Sequence, residues 1–129
     1  MNYIFVFGSN LAGVHGAGAA YDALKKYGAK MHVGKGLTGR SYALPTKGLS
    51  IQTLPLGLIK RYVEDFLEVA RTYPELTFKV TRVGCGLAGW RDVDIAPLFL
   101  EAPENCHFDT AWMNYVTHPT IKRVYWGHQ

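Results

Sequence analysis

Phe78-Lys79-Val80-Thr81-Arg82-Val83, running straight into Gly84-Cys85-Gly86-Leu87-Ala88-Gly89, is the stretch on which the fold of this chain turns. The β-branched and aromatic residues predict a buried strand over residues 77–83, and three glycines in six residues predict a turn free of bulky side chains at its end. The same pattern occurs some seventy residues upstream, where a strand over residues 2–7 precedes Gly13-Val14-His15-Gly16-Ala17-Gly18. Two such turns side by side in one small domain can clamp a diphosphate between backbone N–H groups from both flanks.

Working outward, residues 17 to about 26 read as a short helix whose N-terminus points at the first glycine turn and which Gly28 ends. Residues 40–44 read as a second strand closed by Pro45-Thr46-Lys47, which puts Lys47 just beyond a strand end. Pro55 opens a longer helix to about residue 72, with Ile59, Tyr62, Phe66, Ala70 and Tyr73 at three- and four-residue spacing, so one face packs on a sheet. After the second glycine turn, residues 93 to about 101 read as a helix with Asp92 as its N-cap. Residues 105–129 carry Trp112, Tyr115, Tyr125 and Trp126 and read as a folded tail without a clear period. Strands alternating with helices predict an α/β sandwich with a partly parallel sheet.

With 129 residues, 48% of them apolar, residues 1–129 are expected to form a single domain. There is no run of eighteen apolar residues and no basic stretch followed by an apolar one, so the expectation is a cytoplasmic protein without a membrane partner. Cys85 and Cys106 have no Cys-x-x-Cys spacing, which predicts two free thiols and no metal site. A formal charge of +4 favours an anionic partner without identifying it.

Gly84-x-Gly86-x-x-Gly89 formally matches the dinucleotide-binding fingerprint, but the chain left after Gly89 is too short for the rest of a Rossmann half and its partner. Neither turn has the Gly-x-x-x-x-Gly-Lys-Ser/Thr spacing of a P-loop. Lys47 reads as a solvated turn charge or as an amine near a sugar carbonyl, reactive only when neutral. Cys85 is a small buried thiol or a nucleophile, His15 a loop residue or a phosphate neighbour, and Trp90 a core residue or a platform for a ribose or base.

Gly8-Ser9-Asn10 followed by His15-Gly16-Ala17-Gly18-Ala19-Ala20, then Tyr42-Ala43-Leu44-Pro45-Thr46-Lys47, then Arg82-Val83-Gly84-Cys85-Gly86-Leu87 resemble the macrodomain family. Within it they are similar to the branch of terminal ADP-ribose glycohydrolase and the antitoxins that remove ADP-ribose from DNA. The resemblance spans about residues 3–100 and implies a macrodomain-like three-layer α/β/α sandwich with a mixed central sheet that binds ADP-ribose, or an ADP-ribosylated macromolecule, without a cofactor. It implies that Ser9 and Asn10 lie at the site, Asn10 near the distal ribose. His15, Gly16, Ala17 and Gly18 would form one wall, and Gly84, Cys85, Gly86, Leu87, Ala88, Gly89 and Trp90 the other. Lys47 matches the family's catalytic lysine, which reacts with the distal ribose in its open aldehyde form. The aspartate that assists this lysine in the most similar hydrolases is replaced by Ala88, which leaves Asp92 as the candidate acid/base from the following helix start.

Three functions follow from these residues: an ADP-ribosyl glycohydrolase acting through Lys47, a non-catalytic reader of ADP-ribose or a related nucleotide, and a small nucleic-acid-binding protein using Lys122, Arg123, Tyr125 and Trp126.

Overall fold

A computed structural model describes residues 3–127. Asn2, the first residue of the predicted first strand, lies outside the described residues. Six strands form one sheet in the order β2-β3-β1-β4-β5-β6: β1 (Tyr3–Asn10), β2 (Gly36–Thr38), β3 (Ser41–Lys47), β4 (Thr77–Val80), β5 (Cys106–Asp109) and β6 (Tyr125–Trp126). All neighbours pair in parallel except β2 with β3, so the sheet is mixed, with one antiparallel edge.

Alternation along the strands splits the core into two clusters. Ile4 and Val6 of β1, Tyr42 and Leu44 of β3, Phe78 and Val80 of β4, and Phe108 of β5 face one side, where they meet Ile59, Val63, Phe66 and Ala70 of α2 (Leu56–Thr72). Phe7 and Ala43, on the other side, meet Ala20 and Ala23 of α1 (Gly18–Lys26). Helices on both faces make the three layers. Phe66 meets Phe78 nearly edge-on at 5.3 Å between centroids, and Phe99 meets Phe108 at 5.7 Å, extending the larger core toward the chain's end.

Several boundaries differ from the sequence reading for identifiable reasons. β3 continues through Pro45 because β2 pairs only with Ser41–Ala43, so the missing proline N–H faces no ladder partner on that side. The predicted helix over residues 93–101 is instead one α turn, α3 (Asp92–Ile95), followed by a 3₁₀ turn over Ala96–Phe99, since Pro97 cannot donate to a preceding carbonyl. Arg91 is the N-cap residue of α3 and Asp92 its first helical residue, so Asp92 does not cap it; the back-bond of the cap comes from Asp94, whose carboxylate accepts from the Arg91 N–H at 3.1 Å. The aromatic tail supplies β5, a 3₁₀ turn ending at the fully buried Trp112, α4 (Met113–Val116) and β6. Arg123 donates to the carbonyls of Val116, Ala102 and Leu100 at 2.7–2.8 Å, and Tyr125 packs on the core, so both hold the tail in place rather than presenting a binding surface. No helix among the described residues is long and apolar enough to cross a membrane.

Candidate functional site

β1 and β4 are parallel neighbours, yet the loop after β1 leads to α1 on one face while the loop after β4 leads to α3 on the other. Loops diverging from adjacent strand ends open a crevice at the topological switch point. Here it is a cavity of about 620 Å³. Ser9, Asn10, Gly16, Ala17 and Gly18 line one side, Gly84 through Ala88 the other, and Lys47 enters from the end of β3.

The glycines divide into two kinds. Gly13 and Gly84 have φ of +72° and +77°, and a Cβ on Gly84 would come within 3.3 Å of Ile95 Cδ1, so the turns themselves demand them. Gly16 and Gly86 are different. Neither has a positive φ, and a Cβ on either would meet nothing within 4 Å, yet both line the cavity. Packing and backbone geometry leave these two positions free for a side chain, and what glycine provides there is open cavity wall.

The start of α1 adds donors to that wall. Its N-cap residue is Ala17, which has no side chain able to accept from the first turn, and the uncapped N–H groups there belong to Gly18, Ala19 and Ala20, which line the cavity. A helix N-terminus left in this state carries partial positive charge and suits an anion. The loop that delivers it is tied down by Asn10, whose Oδ1 accepts from the Val14 N–H at 2.9 Å and whose Nδ2 donates to the Val14 carbonyl at 2.8 Å. Asn10 therefore lines the cavity while its amide holds the loop. The Ser9 hydroxyl, also at the cavity, donates to the Gly34 carbonyl. A bulge between Ser9 and Asn10 brings Asn10 opposite Lys47.

His15, Gly89, Trp90 and Asp92 are absent from the cavity wall. His15 is buried beneath the first loop, with Nε2 3.0 Å from the Val33 carbonyl and its ring edge-on to Phe7. Because a carbonyl only accepts, Nε2 donates to it, and Nδ1 is buried without a hydrogen-bond partner. Trp90 packs on the core and donates from Nε1 to the Leu54 carbonyl. Asp92 accepts two bonds from Arg82, at 2.9 and 2.7 Å, and a third from Trp112 Nε1 at 2.8 Å. The Arg82 guanidinium holds its carboxyl below the usual carboxylate range, so Asp92 is an anion committed to its neighbours and not a free acid/base in the cavity. Burial, reinforced by Asp92, pushes the Cys85 thiol up to about 12, which removes it as a nucleophile at neutral pH.

Sequence reasoning missed Arg82, Thr46, Val14 and Ile51 on the cavity wall. Arg82 carried a signal, a lone cation between β-branched residues directly before the glycine turn. Ile51 carried none: a β-branched residue at φ +62° on an exposed rim is visible only in the folded chain. Among the described residues, Lys47 and Arg82 are the charged residues of the wall, and no carboxylate lines it.

No family model matches the sequence, and no curated protein does. Two solved structures share the fold. A protein of unknown function from Bacteroides thetaiotaomicron is 12% identical, with a TM-score of 0.59 over 99% of this chain and 90% of that one. DarTG of Thermosipho africanus, solved in complex with ADP-ribose, is 17% identical, with a TM-score of 0.57 over 98% of this chain and 38% of that one. At these identities the likeness establishes architecture, and the architecture is the macrodomain-like α/β/α sandwich.

Proposed function

We propose that the cavity binds ADP-ribose and that Lys47 removes it from a macromolecular conjugate. The observation that carries the binding half is the pair of open glycines, Gly16 and Gly86, both lining the cavity beside an uncapped helix start. Backbone donors with no side chains over them fit a diphosphate, and the volume is within the range of small-molecule sites. That a structure of the same fold was solved with ADP-ribose supports this choice among diphosphates.

The hydrolytic half rests on Lys47, half-buried at the end of β3 and, among the described residues, without an ion pair. Its neutral amine would attack C1 of the distal ribose and displace the conjugated group, which leaves with a proton. The ring oxygen then departs from C1 to give an open-chain imine, and water hydrolyses it to return ADP-ribose and the free amine. A second reading, a module that binds ADP-ribose without turning it over, is favoured by one specific observation. Among the described residues no carboxylate lines the cavity, and Asp92 is spent on Arg82 and Trp112. Isothermal titration with ADP-ribose beside AMP and NAD tests the binding; an absence of selective heat overturns it. Release of ADP-ribose from a modified nucleobase or carboxylate, lost in Lys47→Ala while binding persists, establishes the hydrolase. Wild-type turnover in Lys47→Ala removes the lysine mechanism, and binding without turnover by the native protein selects the second reading.

A further inference from the structure

The turn that follows Lys47 holds one residue in a conformation its side chain resists. Ile51 has φ +62°, in the left-handed region, where a β-branched side chain crowds its own backbone. The turn accounts for the backbone. Gly48 N–H donates to the Gln52 carbonyl at 2.8 Å, Ile51 N–H donates to the Gly48 carbonyl at 3.1 Å, and Lys47 pairs antiparallel with Thr53 at the base. Glycine or asparagine would take that left-handed position at less cost.

Packing does not account for the side chain either. Ile51 is 42% exposed, belongs to neither core cluster and is not among the side chains packed against them. Yet it lines the first cavity. His32, the other non-glycine residue at positive φ among the described residues, is not β-branched and lies off that wall. Strain of this kind persists at ligand clamps, where the contact it holds ready is completed only in the complex.

Position indicates which part of a ligand the side chain meets. Ile51 stands on the hairpin that Lys47 opens, and Thr53 Oγ1 donates to the Ala88 carbonyl at 2.8 Å, tying the base of that hairpin to the second glycine turn. Leu87, on that turn, is a second exposed apolar side chain on the same wall. With the diphosphate at the start of α1, an apolar side chain on the Lys47 hairpin is placed for the sugar that Lys47 attacks, and the carbon face of a ribose can pack on it. We propose that Ile51 is a specificity-determining residue that packs on the distal ribose, so that the site distinguishes ADP-ribose from ADP. This role rests on the reading of the cavity as an ADP-ribose site with Lys47 at the distal ribose.

The test is titration calorimetry with ADP-ribose and with ADP, the latter read by competition where its own heat is small, on wild type, Ile51→Gly, Ile51→Ala and Leu49→Ala. Wild type is expected to prefer ADP-ribose. Both Ile51 variants should lose about tenfold in affinity for ADP-ribose and stay within about twofold of wild type for ADP. The extra charge on the terminal phosphate of ADP is common to all four proteins and cancels from the comparison. Leu49→Ala, on the same hairpin and exposed but off the cavity wall, should change neither affinity. Melting without ligand reads the strain. Alanine keeps a Cβ at the left-handed position and glycine does not, so Ile51→Gly should melt about 3 °C above Ile51→Ala, the reverse of the usual order of these two residues. An absence of ADP-ribose binding by wild type overturns the reading of the cavity and this role with it. Wild-type affinity for ADP-ribose in both Ile51 variants, an equal loss for ADP, the same loss in Leu49→Ala, or Ile51→Gly melting below Ile51→Ala overturns the role of Ile51 and leaves the cavity's ligand standing.

Discussion

Asp92 illustrates how a residue's partners decide its chemistry. Its carboxylate receives Arg82 in a two-point contact and Trp112 Nε1 in a third, and the first of these keeps its folded pKa below the unfolded value near 3.9. A depressed carboxyl pKa means that the unfolded chain binds the proton more readily. The stabilisation is therefore complete above about pH 4 and is lost as the pH falls through the lower, folded value. Asp92→Asn should lower the thermal midpoint at neutral pH, by about 1 kcal/mol of stability because the pair is partly solvated, and should shrink the gap to wild type as a melting series is carried toward pH 2. A gap that widens on acidification would contradict the assignment. Sequence alone placed Asp92 next to a glycine turn and suggested a cap or an acid. Neither role holds, because its partners, ten residues before it and twenty after, meet it only through the folded sheet. Asn10 shows the converse. Its position beside the site was legible from Gly8-Ser9-Asn10, while its two bonds to Val14 were not. Asn10→Ala should cost about 1–2 kcal/mol of stability and weaken ADP-ribose binding at least tenfold by freeing the loop, as melting and titration together will show.

At the scale of elements, α1 is the one whose design is unusual. Helices of this length are commonly capped by Ser, Thr, Asp or Asn, yet here the N-cap is Ala17 and the first turn is left without a side-chain acceptor. If those N–H groups serve a diphosphate, supplying an internal cap must stabilise the free protein and compete with the ligand. Ala17→Asp is accordingly expected to raise apo stability by about 1 kcal/mol and to weaken ADP-ribose binding by more than tenfold, since the new carboxylate takes the donors and repels the anion. Loss of both properties, or a gain in both, would separate the helix start from the ligand. The helix itself was legible, down to its termination at Gly28, which takes φ +77°. So were the paired glycine turns and the long amphipathic α2. What escaped were β2 and, in the tail, β5, α4 and β6. Gly36-Leu37-Thr38 is three residues between glycines with no room for alternation, and Tyr125-Trp126 is two residues whose strand character comes from pairing with Phe108 and Asp109. Short edge strands are made by their neighbours, so no local pattern announces them.

For the whole molecule, the question is whether the site and the core are separable. The larger core is continuous from α2 through the tail, with Phe66, Phe99 and Trp112 fully buried, and none of these residues lines the first cavity. The cavity wall, where it consists of Gly16 and Gly86, makes no packing contact that a Cβ would disturb. Folding should therefore be indifferent to a side chain at either position, while a ligand filling the space should not be. Gly86→Val is expected to leave the apo melting midpoint within about 1 °C of wild type, the small change typical of surface substitutions. Ligand linkage supplies the second half. ADP-ribose at about one hundred times its dissociation constant adds about 2.7 kcal/mol to the native state, which for a chain of this size raises the midpoint by about 10 °C. In Gly86→Val that rise should vanish, because the valine methyls occupy the path between the two loops. If the apo midpoint drops by several degrees, Gly86 is a folding glycine and the open wall has no bearing on a ligand. If the midpoint holds and the ligand shift persists, the diphosphate lies elsewhere in the crevice, nearer the start of α1 than the second glycine turn.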